Sequence, residues 1–114
     1  MLAVNDDYCL AFAEKLALRA GRHAVSQFRH VDAWQKDNAT FVTQADVDIQ
    51  VDIEQAIFER FPEHVVLGEE RTTNARPLGT EDAIWVVDPI DGTESYLNGL
   101  PIWGISIALF VGGK

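Results

Sequence analysis

The chain has 114 residues, of which 47% are apolar and 24% charged, the composition of an ordinary globular protein and enough for one small domain or part of one. Asp and Glu number 18 against 9 Lys and Arg, a net charge of -9 that argues against nucleic acid or an anionic membrane as partner, since both are held by clustered basic residues. No run of eighteen apolar residues occurs and the first seven residues lack the basic and apolar regions of a signal peptide, so a cytoplasmic location is expected.

Asn5 or Asp6 is placed to cap a first helix. Tyr8, Phe12, Leu16, Ala20, Ala24 and Phe28 then recur at i, i+4 with Lys15, Arg19 and Arg22 off that stripe, which predicts a long amphipathic helix. Gly21 interrupts it at a cost of roughly 1 kcal/mol relative to alanine, for which close packing against another element is the expected compensation. Cys9, the single cysteine, lies among the apolar helical positions and reads as a small buried hydrophobe, not a nucleophile. Residues 30–41 lose the periodicity and read as a loop or weak hairpin. Thr43, with Asp46 three residues on, resembles a capping box carrying Asp in place of the usual Glu or Gln, and Ile49, Ile53, Ile57 and Phe61 continue as a second helix over residues 44–61, ended by Pro62.

Two short strands follow. Residues 64–67 stop at Gly68-Glu69-Glu70 and residues 83–87 stop at Asp88-Pro89, so each delivers carboxylates at its C-terminal end. The segment 71–82 between them is rich in Thr, Asn, Gly, Pro and charge, an exposed loop. Glu94-Ser95-Tyr96-Leu97 predicts one helical turn ended by Asn98-Gly99, and residues 102–111 predict a strand. Gly112-Gly113 then reads as a turn into a partner strand represented only by Lys114, so the chain is expected to be truncated, with an edge prone to aggregation.

The residues with chemistry cluster in Trp85-Val86-Val87-Asp88-Pro89-Ile90-Asp91-Gly92-Thr93. Pro89 removes a donor and is expected to turn the chain, bringing Asp91 into that turn behind Asp88. Two carboxylates with the Ile90 carbonyl between them form a hard-oxygen site suited to Mg²⁺, and Gly92 and Thr93 open a helical turn whose free amides can receive a phosphate. The histidines His23, His30 and His64 show no ligand spacing, and Ser26, Ser95 and Ser106 show no partners for a nucleophile. Trp85, Trp103 and Phe110 read as sheet core, and Trp34 as locally packed.

Asp-Pro-Ile-Asp-Gly-Thr at 88–93, preceded in order by Lys36, by Val42-Thr43-Gln44-Ala45-Asp46 and by Leu67-Gly68-Glu69-Glu70, resembles the inositol monophosphatase family over nearly the whole chain. The resemblance implies an α/β layered sandwich of which this is the first half: two N-terminal helices packed on a mostly antiparallel sheet. It also implies two or three Mg²⁺ ions. Glu69, Asp88 and the carbonyl of Ile90 match ligands of the first and Asp88 and Asp91 those of the second. Thr93, hydrogen-bonded to Asp46, matches the group that orients the attacking water together with Glu69. The stretch Ile90, Asp91, Gly92 and Thr93 matches the substrate-binding turn, Gly92 and Thr93 through their amides, and Lys36 matches a loop lysine near the site.

The implied function is metal-dependent hydrolysis of a small phosphate monoester, inositol monophosphate first. Gly99-Leu100-Pro101-Ile102-Trp103-Gly104 also resembles the histidinol-phosphate phosphatase branch. Family members are commonly lithium-inhibited homodimers. A further metal-binding aspartate, in a Trp-Asp motif, lies beyond Lys114 in the family, so the 114-residue chain alone is expected to turn over poorly. A non-catalytic metal-binding or oligomerisation module is the alternative from another class.

Overall fold

The computed structural model describes residues 5–30, 32–35, 41–68, 72–73 and 83–112. Helix α1 spans Asp6–Gln27, and the Asn5 side chain caps it by accepting from the amide of Tyr8, beside Asp6 and Asp7 in the favourable first turn. It buries Leu16, Ala20 and Ala24 of the i, i+4 stripe together with Cys9 beside it, while Tyr8 at the start of the stripe stays 40% exposed. The Cys9 thiol, as expected, packs as a hydrophobe, and burial, with Asp6 nearby, pushes its pKa up. Gly21 departs from expectation. A Cβ there would meet open space among the described residues, so no close approach offsets its helical cost. It borders a shallow apolar depression beside Leu18, Val25 and Trp103.

Strands β1 (Ala33–Gln35) and β2 (Phe41–Thr43) pair antiparallel, Trp34 opposite Val42, so the polar stretch resolves into a hairpin whose tip lies outside the described residues. Trp34 is 44% exposed there, more open than local packing suggests. Helix α2 (Gln44–Arg60) begins directly at β2, with Thr43 as N-cap and the full reciprocal capping box to Asp46. It buries Ile49, Ile53 and Ile57, each worth about 1.5–3 kcal/mol when fully removed from water. Arg60 closes it one residue short of the expected Phe61, which takes non-helical φ/ψ before Pro62.

Strands β3 (Val65–Gly68), β4 (Thr72–Thr73), β5 (Ala83–Asp91) and β6 (Gly104–Val111) form, among the described residues, a sheet in the order β4-β3-β5-β6. The β3/β4 and β5/β6 pairs are antiparallel and β3/β5 is parallel, which agrees with the mostly antiparallel α/β layering expected. Both long helices cover one face of this sheet, meeting Val66, Trp85, Val87 and Ile90 in one core, with Ile105, Ile107 and Leu109 packed against it. Helix α3 (Thr93–Leu97) supplies Tyr96 to the same core. Among the described residues no helix is long and apolar enough to cross a membrane.

Two expectations are corrected here. Phe110 is not core: it has the outward parity of Ser106 and Ala108 on β6 and stays 42% exposed, while Trp85 and Trp103 face inward. The chain also does not turn at Pro89. Strand β5 runs through it to Asp91, and a bulge absorbs the missing donor: Asp88 pairs with Ser106 but Asp91 with Gly104, three steps on one strand against two on the other.

Phe61, His64 and Trp85 stack in series, the Phe61 and His64 rings lying 4.5 Å apart and 3° from parallel. Trp85 Nε1 donates to His64 Nδ1 at 2.9 Å, which requires that nitrogen to be unprotonated. Burial lowers the His64 pKa, and Glu63 opposes the shift. Folding therefore favours the neutral ring, while the unfolded chain binds a proton near pH 6.5. The stability this contributes is complete above that pH and is lost as pH falls through it toward the folded value. The thermal midpoint of the wild type should drop more between pH 7.5 and 5.5 than that of His64→Asn; parallel curves would show that His64 is not responsible.

Candidate active site

The site grows from the end of β5. In a regular strand, residues three apart point to opposite faces, and the bulge at Pro89-Ile90 resets that alternation between Asp88 and Asp91. Asp88 is half-buried and Asp91 exposed, while Pro89 and Ile90 between them are buried and anchor the segment. The turn comes at Gly92, with φ 90° and ψ 40°, a left-handed conformation as N-cap of α3. A Cβ at Gly92 would also lie 2.8 Å from the carbonyl oxygen of Ile102, so glycine is required both by backbone and by space.

That turn aims Thr93 back at α2. Thr93 Oγ1 lies 2.9 Å from Asp46 Oδ1 and 3.0 Å from the carbonyl oxygen of Ile90, two acceptors for its single proton. Asp46 is fully buried, and its other oxygen, Oδ2, accepts from the Thr43 amide at 2.8 Å and from Thr43 Oγ1 at 2.5 Å. One carboxylate thus closes the helix cap and reaches across the chain to Thr93. Tyr96, one turn further along α3, is buried and donates from its hydroxyl to the Ala24 carbonyl at 2.6 Å. Burial, together with the negative charge of Asp46, pushes the Tyr96 pKa up to about 12, so its phenol stays protonated and is a fixed donor.

Below this layer Gln50 is buried and donates to Glu54 Oε1 at 2.7 Å. Its carboxamide lies against Gly68, where an added Cβ would fall 1.4 Å from Gln50 Nε2, so a side chain at the last residue of β3 would require Gln50 to move.

The structure brings together Asp46, Asp88, Ile90, Asp91, Gly92 and Thr93 around the β5–α3 junction. Glu69 and Lys36 lie outside the described residues. The available donors, two carboxylates and a carbonyl, are hard oxygens that fit Mg²⁺ or Ca²⁺ in kind. Among the described residues no three Asp, Glu, His or Cys side chains gather into a group that could hold a metal ion. Two of the residues read as non-catalytic have structural partners: His64 accepts from Trp85, and Ser26 Oγ donates to the His23 carbonyl. Sequence reasoning missed Tyr96 and Gln50. The spacing of Tyr96 three residues after Thr93 is a signal for the first, and the second, a polar residue one step past Ile49 on the apolar stripe, gives none.

The chain is similar to known phosphatases in sequence and fold. Histidinol-phosphatase from Chlorobaculum parvum is 37% identical over 106 residues, covering 91% of this chain and 40% of that protein. Inositol monophosphatase 2 from Rattus norvegicus is 35% identical over 109 residues, covering 92% and 37%. A solved IMPase/NADP phosphatase complexed with NADP and Ca²⁺ superimposes with a TM-score of 0.84 at 25% identity, covering 99% of this chain and 43% of that one. The chain therefore spans about 40% of the length of these relatives. The family model for the inositol monophosphatase family matches residues 5–114, and with the bulged Asp88–Asp91 segment and the Asp46–Thr93 bond in place, the chain belongs to that family.

Proposed function

We propose that the protein hydrolyses a small phosphate monoester by in-line attack of water, with inositol monophosphate as the leading substrate and Mg²⁺ as cofactor. The observation that carries this reading is the bond from Thr93 Oγ1 to the buried Asp46, formed across 47 residues beside the two carboxylates of β5. Mg²⁺ held by Asp88, Asp91 and the Ile90 carbonyl, with Glu69, would neutralise phosphoryl charge and make water more acidic. The chain's own residues do the positioning. Asp46 takes the Thr93 proton as hydrogen-bond acceptor, which leaves the Thr93 oxygen to accept from an attacking water, and the amides of Gly92 and Thr93 face the phosphate oxygens. The acidic balance favours a small ester over nucleic acid or membrane, and the resemblance to the family supports a cytoplasmic homodimer.

L-histidinol phosphate is the second substrate reading, favoured by the residues Gly99 to Gly104 and by the likeness to the Chlorobaculum enzyme. Phosphate release from inositol 1-phosphate, L-histidinol phosphate and a panel of sugar and nucleotide monophosphates separates the two. The full-length protein should be active only with Mg²⁺, and kcat/KM should rank inositol 1-phosphate first. A higher rank for histidinol phosphate would move the assignment to that branch. Substantial release in excess chelator would refute the metal-dependent reading, and no release from any ester would favour a non-catalytic module.

A further inference from the structure

We infer that Thr43 is a positioning residue for the Asp46–Thr93 pair, an assignment that rests on the catalytic reading of that pair and deepens it. Thr43 and Asp46 are both fully buried, so water cannot take over any bond lost between them. The Thr43 hydroxyl and amide both donate to Asp46 Oδ2, at 2.5 and 2.8 Å, while the same hydroxyl oxygen accepts from the Asp46 amide at 3.2 Å. The hydroxyl has one proton and it is committed to Asp46. An ionised carboxylate only accepts, and with two donors on Oδ2 the one oxygen left for Thr93 is Oδ1, at 2.9 Å.

Helix capping alone does not call for this arrangement. A cap needs Thr43 Oγ1 as acceptor for a helix amide, and the backbone amide of Thr43 already gives Asp46 its reciprocal bond. The added O–H···O bond fixes the rotation of the carboxylate about χ2, a torsion that is otherwise broad for aspartate. Removing the hydroxyl would let Oδ1 swing and let Thr93 donate to its second acceptor, the Ile90 carbonyl at 3.0 Å. The Thr93 oxygen would then present a different lone pair to the substrate side.

The test uses the full-length protein with Mg²⁺ and the ester it hydrolyses best. Thr43→Val, which keeps the shape without the hydroxyl, should lower kcat about 10- to 100-fold, the range seen when a group that orients a reacting residue is lost. KM and the Mg²⁺ concentration for half-maximal rate should not move. Thr43→Ser should restore kcat, because it returns the same donor. Ile57→Val, on the same helix and far from the site, lowers the thermal midpoint without touching Asp46 and should leave kcat unchanged.

Thr43→Val combined with Thr93→Ala should lose little more than Thr93→Ala alone. Should Thr43→Val fail to fold, Thr43→Gly serves instead, since glycine is a tolerated N-cap that also lacks the hydroxyl. Unchanged kcat in the hydroxyl-free variant, or failure of Thr43→Ser to rescue, overturns the assignment. If Thr93→Ala itself leaves kcat intact, the catalytic reading of the pair fails. A large loss in Thr93→Ala with none in Thr43→Val sinks only the positioning role.

Discussion

Asp91→Asn is expected to reduce phosphate release by the full-length protein to background while leaving the fold intact. Asp91 is the last residue of β5, exposed, and held in register with Gly104 by its backbone, which the substitution does not alter. An exposed, nearly isosteric change of this kind ordinarily moves stability by no more than about 0.5 kcal/mol. The loss of one negative charge from a hard-oxygen donor set is a different matter, because Mg²⁺ is held by few protein groups and each carboxylate counts. Circular dichroism and thermal melting should therefore be unchanged, and raising Mg²⁺ should not restore the rate. Wild-type turnover in Asp91→Asn would remove this residue from the metal site.

The second large effect belongs to Thr93→Ala and Asp46→Asn, each expected to lower kcat by about 10²–10⁴-fold, the range of positioned proton transfer. The two differ in what they do to stability. Thr93→Ala removes one donor from Asp46 Oδ1 and leaves Oδ2 bonded to Thr43. Asp46→Asn replaces one of the two acceptor oxygens by an NH₂ group. At the Oδ2 place it would face the two Thr43 donors at about 1–3 kcal/mol, and at the Oδ1 place it forces Thr93 to turn its proton to the Ile90 carbonyl. Melting curves should show the second variant as the less stable and both as folded. Because the side chains act as one unit, the double variant should be little slower than the worse single. Fully additive losses in kcat would refute the pairing.

Much of the scaffold is legible along the chain because its signals are local. The i, i+4 stripe from Tyr8 to Phe28 and the Thr43–Asp46 cap depend on residues within a turn or two of one another, and α1 and α2 form close to the bounds read from them. Pro89 misled for a physical reason: the rule that proline ends a strand describes the lost donor, and a bulge accommodates that loss without a turn. Phe110 misled because hydrophobicity does not say which face of a strand is covered. At the site, hard-oxygen chemistry is visible in the motif at 88–93, whereas the Thr93–Asp46 bond joins α3 to α2 and no periodicity encodes it. That pairing was available only from the family resemblance. Gln50 against Gly68 was hidden for the same reason, since a contact between a helix and a strand end leaves no spacing to read.

The double use of Asp46 has a consequence for how this protein can be re-engineered. A design scheme that optimises helices one at a time would replace Asp46 by glutamate, the residue favoured at that place in a capping box. The extra methylene would satisfy the Thr43 amide and score as an improvement, yet it would carry the carboxylate away from the only position from which Oδ1 meets Thr93 at 2.9 Å. Thermostabilised variants and ancestral reconstructions that permit this exchange would then yield well-folded, inert proteins. Position 46 should be held fixed in any such library, even though a local helix score marks it as free to vary.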